Sequence, residues 1–389
     1  MPVHGLPGVM TEVIVIGGGV TGCGVAWDLA LRGVSVTLLE RGSLASGTSG
    51  RFHGLVHSGA RYAVSDPVAA AQCARESAVL ARVAPRIMKP TGGLFALCAD
   101  DDPQYVEQWE QGIQSAGVEA REIPSDEALR REPLLSASLR RAFVVRDAVC
   151  EGPALCATLA GAARSAGAEV RDFHRVDDFL SDGSSILGVQ ATDTRTGEAV
   201  RLRSRLVVLA AGPWSAEILG RADLKLALNL LRGAMVALDG PRLSTSVNRL
   251  QPPSDGDIAL PRGRVTIAGT TSIPIDQPDD RRVDEVEVAL IRERIFDMLP
   301  GLRHSATRHS WSGVRPLFQF PELPETDVHE WSRDFTVIDH SARDRMSGLV
   351  TVVGGKLTTF RLMAEKTADL VCHRLGREAA CRTETTKLP

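Results

Sequence analysis

The chain has 389 residues, more than one hydrophobic core usually organises, so we expect two domains. Its composition, with 43% hydrophobic and 24% charged residues and a formal net charge of -3, is typical of a globular protein and does not support a nucleic-acid-binding surface. The seven cysteines are scattered and never spaced as C-x-x-C, which predicts neither disulfides nor a metal site and favours a reducing, cytoplasmic compartment.

The sequence does not open with a basic region followed by an apolar run, and it contains no run of about eighteen apolar residues. We therefore expect a chain that is neither secreted nor membrane-spanning. Peripheral attachment at the inner face of a membrane stays open, and so does the oligomeric state.

The first predicted elements form a strand–helix–strand unit. Residues 12–16 are a short apolar run, residues 20–31 have a helical pattern, and residues 34–39 are a second, β-branched run that ends at Glu40. Later in the chain we predict helices at 67–83, 101–116, 154–166, 284–299 and 356–375, strands at 92–97, 169–171, 206–210 and 349–353, polar turns between 171 and 206, and short antiparallel strands between about 225 and 325.

Three glycines and one glutamate carry a nucleotide-binding pattern. Gly17, Gly19 and Gly22 fit G-x-G-x-x-G between the predicted strand and helix, where they permit a tight turn, close approach of a pyrophosphate and close helix packing, respectively. The helix N-terminus adds N–H groups and a positive dipole end. Glu40 lies where a carboxylate binds ribose hydroxyls, which disfavours a 2′-phosphorylated cofactor but does not separate NAD from FAD. The alternative is a glycine-rich turn without a ligand.

Two further segments favour FAD. Residues 43–50 are small and hydroxyl-rich, which suits contacts with a second phosphate, although an ordinary flexible loop has the same composition. Gly354, Gly355 and Lys356 place a helix N-terminus and a cation together, a combination that stabilises negative charge on a reduced flavin ring.

Six segments resemble, in order, FAD-dependent glycerol-3-phosphate dehydrogenases over nearly the whole chain. They are GGGVTG (17–22), HSGARY (57–62), AAGPW (210–214), GTT (269–271), SGVRPL (312–317) and GGKLTTFR (354–361). Residues 50–63, GRFHGLVHSGARYA, are similar to the large subunit of the anaerobic enzymes, within the D-amino-acid oxidase-like superfamily of flavoproteins.

With the predicted elements, this resemblance implies an α/β and α+β fold in which a discontinuous Rossmann-like FAD-binding domain is joined to a substrate domain with a mixed or antiparallel sheet. The FAD-binding domain is expected at 1–80, 146–222 and 331–389, and the cap or substrate domain at 81–145 and 223–330.

The resemblance implies oxidation of sn-glycerol 3-phosphate to dihydroxyacetone phosphate, with FAD receiving the C2 hydride at N5 and electrons passing to a quinone or an electron-transfer subunit. It places Arg61, Tyr62 and Thr270 at the substrate, Arg315 and Arg333 at its phosphate or neighbouring oxygens, and Lys356 beside flavin and substrate. We add His53 to the substrate site, and we expect His57, Arg315 and Lys356 to be catalytic. The expected FAD contacts are Gly17, Gly19, Val20, Thr21, Gly22, Glu40, Arg41, Thr48, Ser49, Val176, Ala211, Gly212, Trp214, Gly355, Lys356, Leu357 and Thr358.

The proton acceptor stays open at this point. Aerobic members of the family carry a His after a Lys-Gly-Ser run where this chain has RGAM at 232–235, so that His cannot be the base here. His53 and His57 are candidates that titrate near neutral pH, and Arg315 would stabilise an alkoxide rather than accept a proton. Each histidine is equally expected to be a hydrogen-bonded structural residue.

Two other functions stay open. Arg61, Arg315 and Arg333 would also bind the carboxylate of a 2-hydroxy acid or an amino acid, although three arginines and Lys356 favour a dianion. A flavin-binding subunit with little activity alone is the second alternative, because the two C-terminal cysteines are not spaced for an iron–sulfur site.

Overall fold

The computed structural model describes residues 10–319, 328 and 332–389. Over these residues the strands are β1 (Met10–Ile16), β2 (Val36–Leu39), β3 (Leu55–Val56), β4 (Gly93–Leu97), β5 (Ala120–Ile123), β6 (Arg141–Val145), β7 (Ala148–Val149), β8 (Glu169–Arg171), β9 (His174–Ser181), β10 (Ile186–Asp193), β11 (Ala199–Leu209), β12 (Leu228–Asp239), β13 (Ser246–Arg249), β14 (Ile258–Arg262), β15 (Val265–Gly269), β16 (Ile273–Ile275), β17 (Ala306–Phe318), β18 (Phe335–Asp339) and β19 (Leu349–Gly354). The helices are α1 (Val20–Leu31), α2 (Pro67–Val83), α3 (Gln104–Ser115), α4 (Ser125–Arg131), α5 (Gly152–Ser165), α6 (Ser215–Gly220), α7 (Glu285–Met298), α8 (His340–Arg343) and α9 (Phe360–Leu375).

The chain divides into two compact units. The first consists of residues 1–50, 152–228 and 335–389, and the second of residues 51–151 and 229–334. Residues 51–80 therefore pack with the second unit, whereas the sequence-based division placed them in the FAD-binding domain. The predicted boundary at residue 330 and the prediction about the N-terminal leader fall on residues outside the described ranges.

The first unit is built on an eight-stranded sheet with the strand order β18-β19-β11-β1-β2-β8, to which β10 and then β9 are added beside β11. The strands β1, β2, β8, β11 and β19 are parallel to their neighbours in this order, and β18 pairs antiparallel with β19. Helix α1 packs against α5 and α9, and most of its residues are buried. A parallel sheet covered by helices is the Rossmann-like arrangement that the sequence predicted.

One stretch predicted as polar turns is a sheet extension. Residues 174–193 form the antiparallel pair β9 and β10, and β11 begins at Ala199, well before the predicted strand start at residue 206. In β9 only Val176 and Phe179 are buried, and the other residues, polar except for Leu180, are exposed or half-buried. A strand with so few apolar residues has the composition of a turn region, which explains why the prediction was wrong.

The second unit is built on a nine-stranded, largely antiparallel sheet with the order β16-β12-β15-β14-β13-β4-β6-β5, and β17 pairs with β12. Alternate residues of β4 point into two different cores, as the pleat of a strand requires. Leu94 and Ala96 contribute to the core that includes α7, while Phe95 contacts Trp109 of α3 with ring centroids 5.2 Å apart. The mixed α/β and α+β fold class predicted from the sequence is confirmed.

Among the residues that the structure describes, none of the helices combines the length and apolar character needed to cross a bilayer. Within the same ranges, His, Cys, Asp and Glu side chains do not form a group of three or more that could hold a metal ion.

Candidate active site

The carboxyl ends of four parallel strands in the first unit meet at one edge of its sheet. Ile16, which ends β1, is in register with Leu39 at the end of β2 and with Leu209 at the end of β11, and β19 runs parallel to β11. The segments that follow these four strands are residues 17–22, 40–50, 210–214 and 354–358. Because ligands of such sheets bind beyond the carboxyl ends of the strands, this edge is the candidate cofactor site.

The turn after β1 depends on glycines that have different tasks. Gly17 has a φ of 113°, and a Cβ there would lie 2.5 Å from the carbonyl oxygen of Ala210. A Cβ on Gly22 would lie 1.9 Å from the carbonyl oxygen of Gly17, so α1 can only start this close to the turn without a side chain. A Cβ on Gly19 would meet the hydroxyl of Ser49 at 3.2 Å and nothing nearer. Gly19 therefore leaves the backbone at the start of α1 accessible to an anion.

Glu40 is fixed at the end of β2 by three donors. Its Oε2 accepts the backbone N–H of Gly18 at 2.7 Å, and its Oε1 accepts the N–H of Gly42 at 2.8 Å and the hydroxyl of Ser46 at 3.2 Å. Two carboxylate oxygens have about four acceptor positions, so these bonds orient the group and still leave capacity for a ribose hydroxyl.

The hydroxyl-rich segment after Glu40 is tied to the glycine turn. The N–H of Ala45 donates to the carbonyl oxygen of Gly18 at 3.0 Å, and the N–H of Val20, in the first turn of α1, donates to the hydroxyl of Ser49 at 2.9 Å. Residues 48–50 form a short 3₁₀ turn. These bonds favour the predicted binding loop over an ordinary flexible loop.

An aromatic and cationic wall lies beside this loop in the first unit. The guanidinium of Arg41 lies 4.1 Å from the ring centroid of Trp214, which is buried and follows β11. The loop approaches the same ring so closely that a Cβ on Gly47 would be 3.1 Å from it. The two predicted contact residues thus occur as one stacked pair.

The entry into α9 forms the fourth segment of the edge. Gly354 and Gly355 have φ values of 86° and 73°, and the backbone N–H of Lys356 donates to the hydroxyl of Thr359 at 3.2 Å. The 3₁₀ turn Leu357–Thr359 then leads directly into α9. The cation of Lys356 therefore stands at the start of a helical segment, as the sequence predicted.

The remaining predicted FAD contacts also belong to the first unit. Val176 is buried in β9, whose first residue, His174, donates its N–H to the carbonyl oxygen of Glu40 at 2.7 Å. The others are Thr21 in the first turn of α1, Ala211 and Gly212 after β11, Thr48 in the loop, and Leu357 and Thr358 before α9.

These features fit a dinucleotide. Backbone left uncovered at Gly19, a helix N-terminus, an oriented carboxylate at Glu40 and a second helix start with a cation at Lys356 supply contacts for phosphates, ribose and an electron-accepting ring. The individual residue assignments stay predictions.

In the second unit, the residues predicted to bind substrate come together. The imidazole rings of His53 and His57 are 5.7 Å apart between centroids, and His57 is 5.2 Å from the ring of Tyr62, edge to face in both cases. His53 and His57 flank the short strand β3, and Tyr62 ends the 3₁₀ turn Ala60–Tyr62. Burial is the main cause that raises the pKa of Tyr62 to about 12, so its phenol stays a neutral donor.

Three arginines, Arg61, Arg315 and Arg333, lie near this aromatic group and differ in the charges that surround them. Arg61 forms an ion pair with Asp257, Nη2 to Oδ1 at 2.8 Å. Burial acts to lower the pKa of Arg61, but the Asp257 carboxylate outweighs it and the pKa is raised. Burial lowers the pKa of Arg315 to about 9, and repulsion from Arg333 adds to the effect. Arg315 therefore stays cationic at neutral pH at an electrostatic cost that a bound anion would relieve.

Arg315 is held by the segment that follows β15. Its Nη1 lies 3.5 Å from the hydroxyl of Thr270, its Nη2 donates to the hydroxyl of Ser272 at 3.1 Å, and Nη2 also donates to the carbonyl oxygen of Thr271. Burial of its guanidinium also lowers the pKa of the half-buried Arg333, whose backbone N–H donates to Asp66 at 3.2 Å. The sequence predicted Thr270 for this site, but not Thr271 or Ser272.

The charge state of His53 follows from its surroundings. Burial, and then repulsion from Arg61, Arg315 and Arg262, lowers the pKa of His53 to about 3. The backbone N–H of Leu55 donates to its Nδ1 at 2.9 Å, so the neutral ring carries its proton on Nε2. In this state Nε2 is a hydrogen-bond donor and cannot accept a proton.

Two members of this cluster had no signal in the sequence. Arg262 influences His53 and forms a bidentate pair with Glu151, and Asp257 neutralises Arg61. Each is a single charged residue in or beside a strand of the sheet, without a motif around it. Only the fold brings these residues to positions 53–62.

The comparisons with known proteins agree with this architecture. Residues 12–370 match the family described as FAD dependent oxidoreductase. The chain belongs to this family of FAD-dependent oxidoreductases, and the predicted cofactor, FAD, is confirmed at the level of the family.

Within the family, the chain is similar to one particular component of anaerobic glycerol-3-phosphate dehydrogenases, the one designated A or A1. It is 39% identical to this component from Haloferax volcanii over 97% of this chain and 66% of that protein, and 37% identical to its counterpart from Escherichia coli K12 over 97% of this chain and 70% of that protein. The chain therefore spans about two thirds of the length of these relatives. The resemblance predicted from the sequence is confirmed.

Solved structures of FAD-containing enzymes have a fold similar to that of this chain. The glycerol-3-phosphate dehydrogenase of Bacillus halodurans, determined with FAD, is 28% identical and superposes with a TM-score of 0.75 over 97% of this chain and 68% of that chain. The L-α-glycerophosphate oxidase of Mycoplasma pneumoniae, with FAD bound, has a TM-score of 0.77 over 98% of this chain and 99% of that chain, but at 17% identity it supports the fold alone.

Proposed function

We propose that the protein oxidises sn-glycerol 3-phosphate to dihydroxyacetone phosphate in an FAD-dependent reaction. The buried arginine cluster of the second unit carries this proposal. Arg61 has a carboxylate partner in Asp257. Burial and then repulsion from Arg333 lower the pKa of Arg315, and burial and then repulsion from Arg61 lower the pKa of Arg333. A phosphate dianion would relieve that repulsion, and planar guanidinium groups bind phosphate oxygens in bidentate fashion.

The strength of the cluster favours a dianion over a carboxylate. A single arginine is sufficient to pair with one carboxylate, whereas three cationic side chains lie together here and repulsion from Arg333 adds to the effect of burial in lowering the pKa of Arg315. The names of the relatives, which are glycerol-3-phosphate dehydrogenases, point to the same substrate.

The protonation states suggest how the residues share the chemistry. His53, neutral and protonated on Nε2, donates a hydrogen bond to a substrate oxygen. His57 accepts the proton of the C2 hydroxyl, since His53 is held in the donor state by Leu55. Arg315, besides contributing charge to phosphate binding, stabilises the alkoxide that develops at the neighbouring C2 oxygen.

When bound, FAD would supply the acceptor for the C2 hydride, at N5 of its ring system. On the protein side, Lys356 and the helical turn that follows it contribute positive charge where electrons are received. Thr270 lines the substrate site next to Arg315.

Electrons would leave to a quinone or to an electron-transfer subunit. The relatives are named as single subunits of an enzyme, which suggests that they work with further subunits. A cytoplasmic protein held peripherally at the inner face of the membrane suits a quinone as acceptor.

The experiment is anaerobic mixing of the purified holoprotein with glycerol 3-phosphate while the visible absorbance of the oxidised flavin is recorded. Loss of this absorbance supports both the cofactor and the substrate. Glycerol, which lacks the phosphate, is the matched control and should leave the flavin oxidised. If a 2-hydroxy acid or an amino acid bleaches the flavin and glycerol 3-phosphate does not, the proposal is wrong.

A further inference from the structure

The segment between β15 and β16 leaves the ladder of the sheet. Strand β12 pairs with β15 up to Met235 opposite Gly269, and with β16 from Arg232 opposite Ile273. Residues 270–272 lie between these pairings and face residues 233–234. Their backbone groups are therefore released from the regular ladder and can bond to side chains instead.

A side chain replaces the missing ladder bond. The backbone N–H of Ala234 donates to the hydroxyl oxygen of Thr271 at 2.9 Å, and this hydroxyl donates to Oε1 of Glu287 at 2.6 Å. Thr271 is 1% exposed, so both bonds are shielded from water. One acceptor and one donor bond fix the rotamer of Thr271 and the direction of its backbone.

The same residue holds the guanidinium of Arg315. The carbonyl oxygen of Thr271 accepts Nη2 of Arg315, and a Cβ on Gly233 would lie 2.7 Å from that nitrogen. The guanidinium thus lies directly on the backbone at Gly233, and a small rotation of the Thr271 peptide would move its acceptor away.

A buried ion pair between Glu287 and Arg232 fixes the acceptor of the Thr271 hydroxyl. Oε2 of Glu287 accepts Nη2 of Arg232 at 2.7 Å and the backbone N–H of Asp284 at 3.1 Å. Glu287 is 5% exposed and Arg232 is 3% exposed. These bonds hold the Glu287 side chain in place at the start of α7, where it can receive the Thr271 hydroxyl.

We propose that Thr271 is a positioning residue that orients Arg315 for the substrate through the chain Arg232, Glu287, Thr271, Arg315. Its consequence for turnover rests on the proposed function, because Arg315 is assigned there to the reacting oxygens. The orientation of Arg315 itself does not depend on which substrate is used.

The test compares Thr271→Val with Thr266→Val and Thr271→Ser. Thr271→Val keeps the shape of the side chain and removes the hydroxyl, and it should lower kcat/KM for anaerobic flavin reduction by glycerol 3-phosphate at least about tenfold, since small displacements of a positioning group have effects of this size. Thr266 lies in β15, is fully buried, and its hydroxyl is unbonded among the described residues, so Thr266→Val should leave kcat/KM unchanged. Thr271→Ser restores the hydroxyl and should recover most of the rate.

A double-mutant cycle with Arg315→Ala separates positioning from a general structural defect. If Thr271 acts through Arg315, Thr271→Val should add little further loss once Arg315 is removed. If the two losses multiply instead, or if Thr271→Val has wild-type kcat/KM, the inference is overturned.

Failure of the proposed function gives a different result. The wild-type holoprotein would then not be reduced by glycerol 3-phosphate. In that case the double-mutant cycle is measured through the free energy of unfolding in urea, with no ligand present. Coupling between Thr271→Val and Arg315→Ala in the unfolding free energy would uphold the positioning, and strict additivity would overturn it.

Discussion

The glycine-rich edge of the first unit and the arginine cluster of the second differ in what they offer a ligand. At the glycine edge, backbone shape is decisive: a Cβ on Gly22 would overlap the carbonyl oxygen of Gly17 at 1.9 Å. In the cluster, charge is decisive, because burial lowers the pKa values of Arg315 and Arg333 while a carboxylate neutralises Arg61. Under the proposed function, the cofactor is held by fixed geometry, and the substrate is attracted by charge that is costly to hold without it.

The two regions also differ in how local they are. Gly17, Gly22 and Glu40 lie within one strand–helix–strand unit. Arg61 and Arg315 are more than two hundred residues apart along the chain and meet only through the sheet of the second unit.

The largest expected effect comes from removing one charge from the arginine cluster. Arg315→Ala should lower kcat/KM for glycerol 3-phosphate by about 10²- to 10³-fold, because truncating one member of a buried charge pair costs about 2–5 kcal/mol. The rate of anaerobic flavin reduction as a function of substrate concentration measures it. FAD content should not change, since Arg315 belongs to the second unit.

Arg308 is the matched control for this change. It lies in the same strand, β17, but its side chain is 60% exposed and is 3.8 Å from Asp239. Arg308→Ala should have nearly wild-type kinetics. Equal effects of the two substitutions would remove Arg315 from the substrate site.

The next largest effect comes from adding a methyl group to the glycine-rich edge of the first unit. Gly22→Ala should destabilise the protein by about 3 kcal/mol, the upper part of the usual range for overpacking, because a methyl group has no space next to the Gly17 carbonyl. We expect the purified variant to lose FAD, measured as the ratio of flavin to protein absorbance, and to unfold at a lower temperature.

Gly161→Ala provides the comparison within the same unit. Gly161 lies inside α5, and a Cβ there would have no neighbour within 4 Å. The substitution should stabilise the protein by about 0.5–1 kcal/mol, since alanine is the better helix former. If Gly22→Ala kept its FAD and melted like Gly161→Ala, the backbone would not be the limiting feature of the cofactor edge.

The same contrast explains which features the sequence predicted. Strand β1, helix α1 and the turn between them follow from a local pattern, and the predicted helix at 20–31 agrees with α1 residue by residue. Strand β9 was missed because its residues are largely polar. Periodicity detects elements that bury a face and is blind to strands at an exposed edge of a sheet.

For the arginine cluster, the sequence identified individual residues but not the contacts between them. The resemblance named Arg61, Arg315 and Thr270, whereas Thr271, which accepts from Arg315, has the same residue type as its neighbour and no distinguishing signal. The donor state of His53 depends on a bond from the backbone of Leu55, and its lowered pKa depends on arginines distant in sequence. Such properties are set by three-dimensional neighbours and cannot be predicted from spacing alone.

The smallest effect tests whether burial and the nearby arginines lower the pKa of His53. The pKa of His53 is lowered to about 3 from a reference value of 6.5, so below pH 6.5 the unfolded chain binds a proton that the folded protein does not. The stability contributed by neutral His53 is therefore fully present above pH 6.5 and is lost as the pH falls towards 3. Between these limits the unfolding free energy of the wild type should fall more steeply than that of His53→Asn, by up to about 1.4 kcal/mol per pH unit.

Urea unfolding of both holoproteins across this range measures the difference. Added inorganic phosphate, by neutralising the arginines, should reduce this difference. Parallel curves would mean that the pKa of His53 is not lowered in the folded protein, and a difference that phosphate leaves unchanged would mean that the arginines do not contribute.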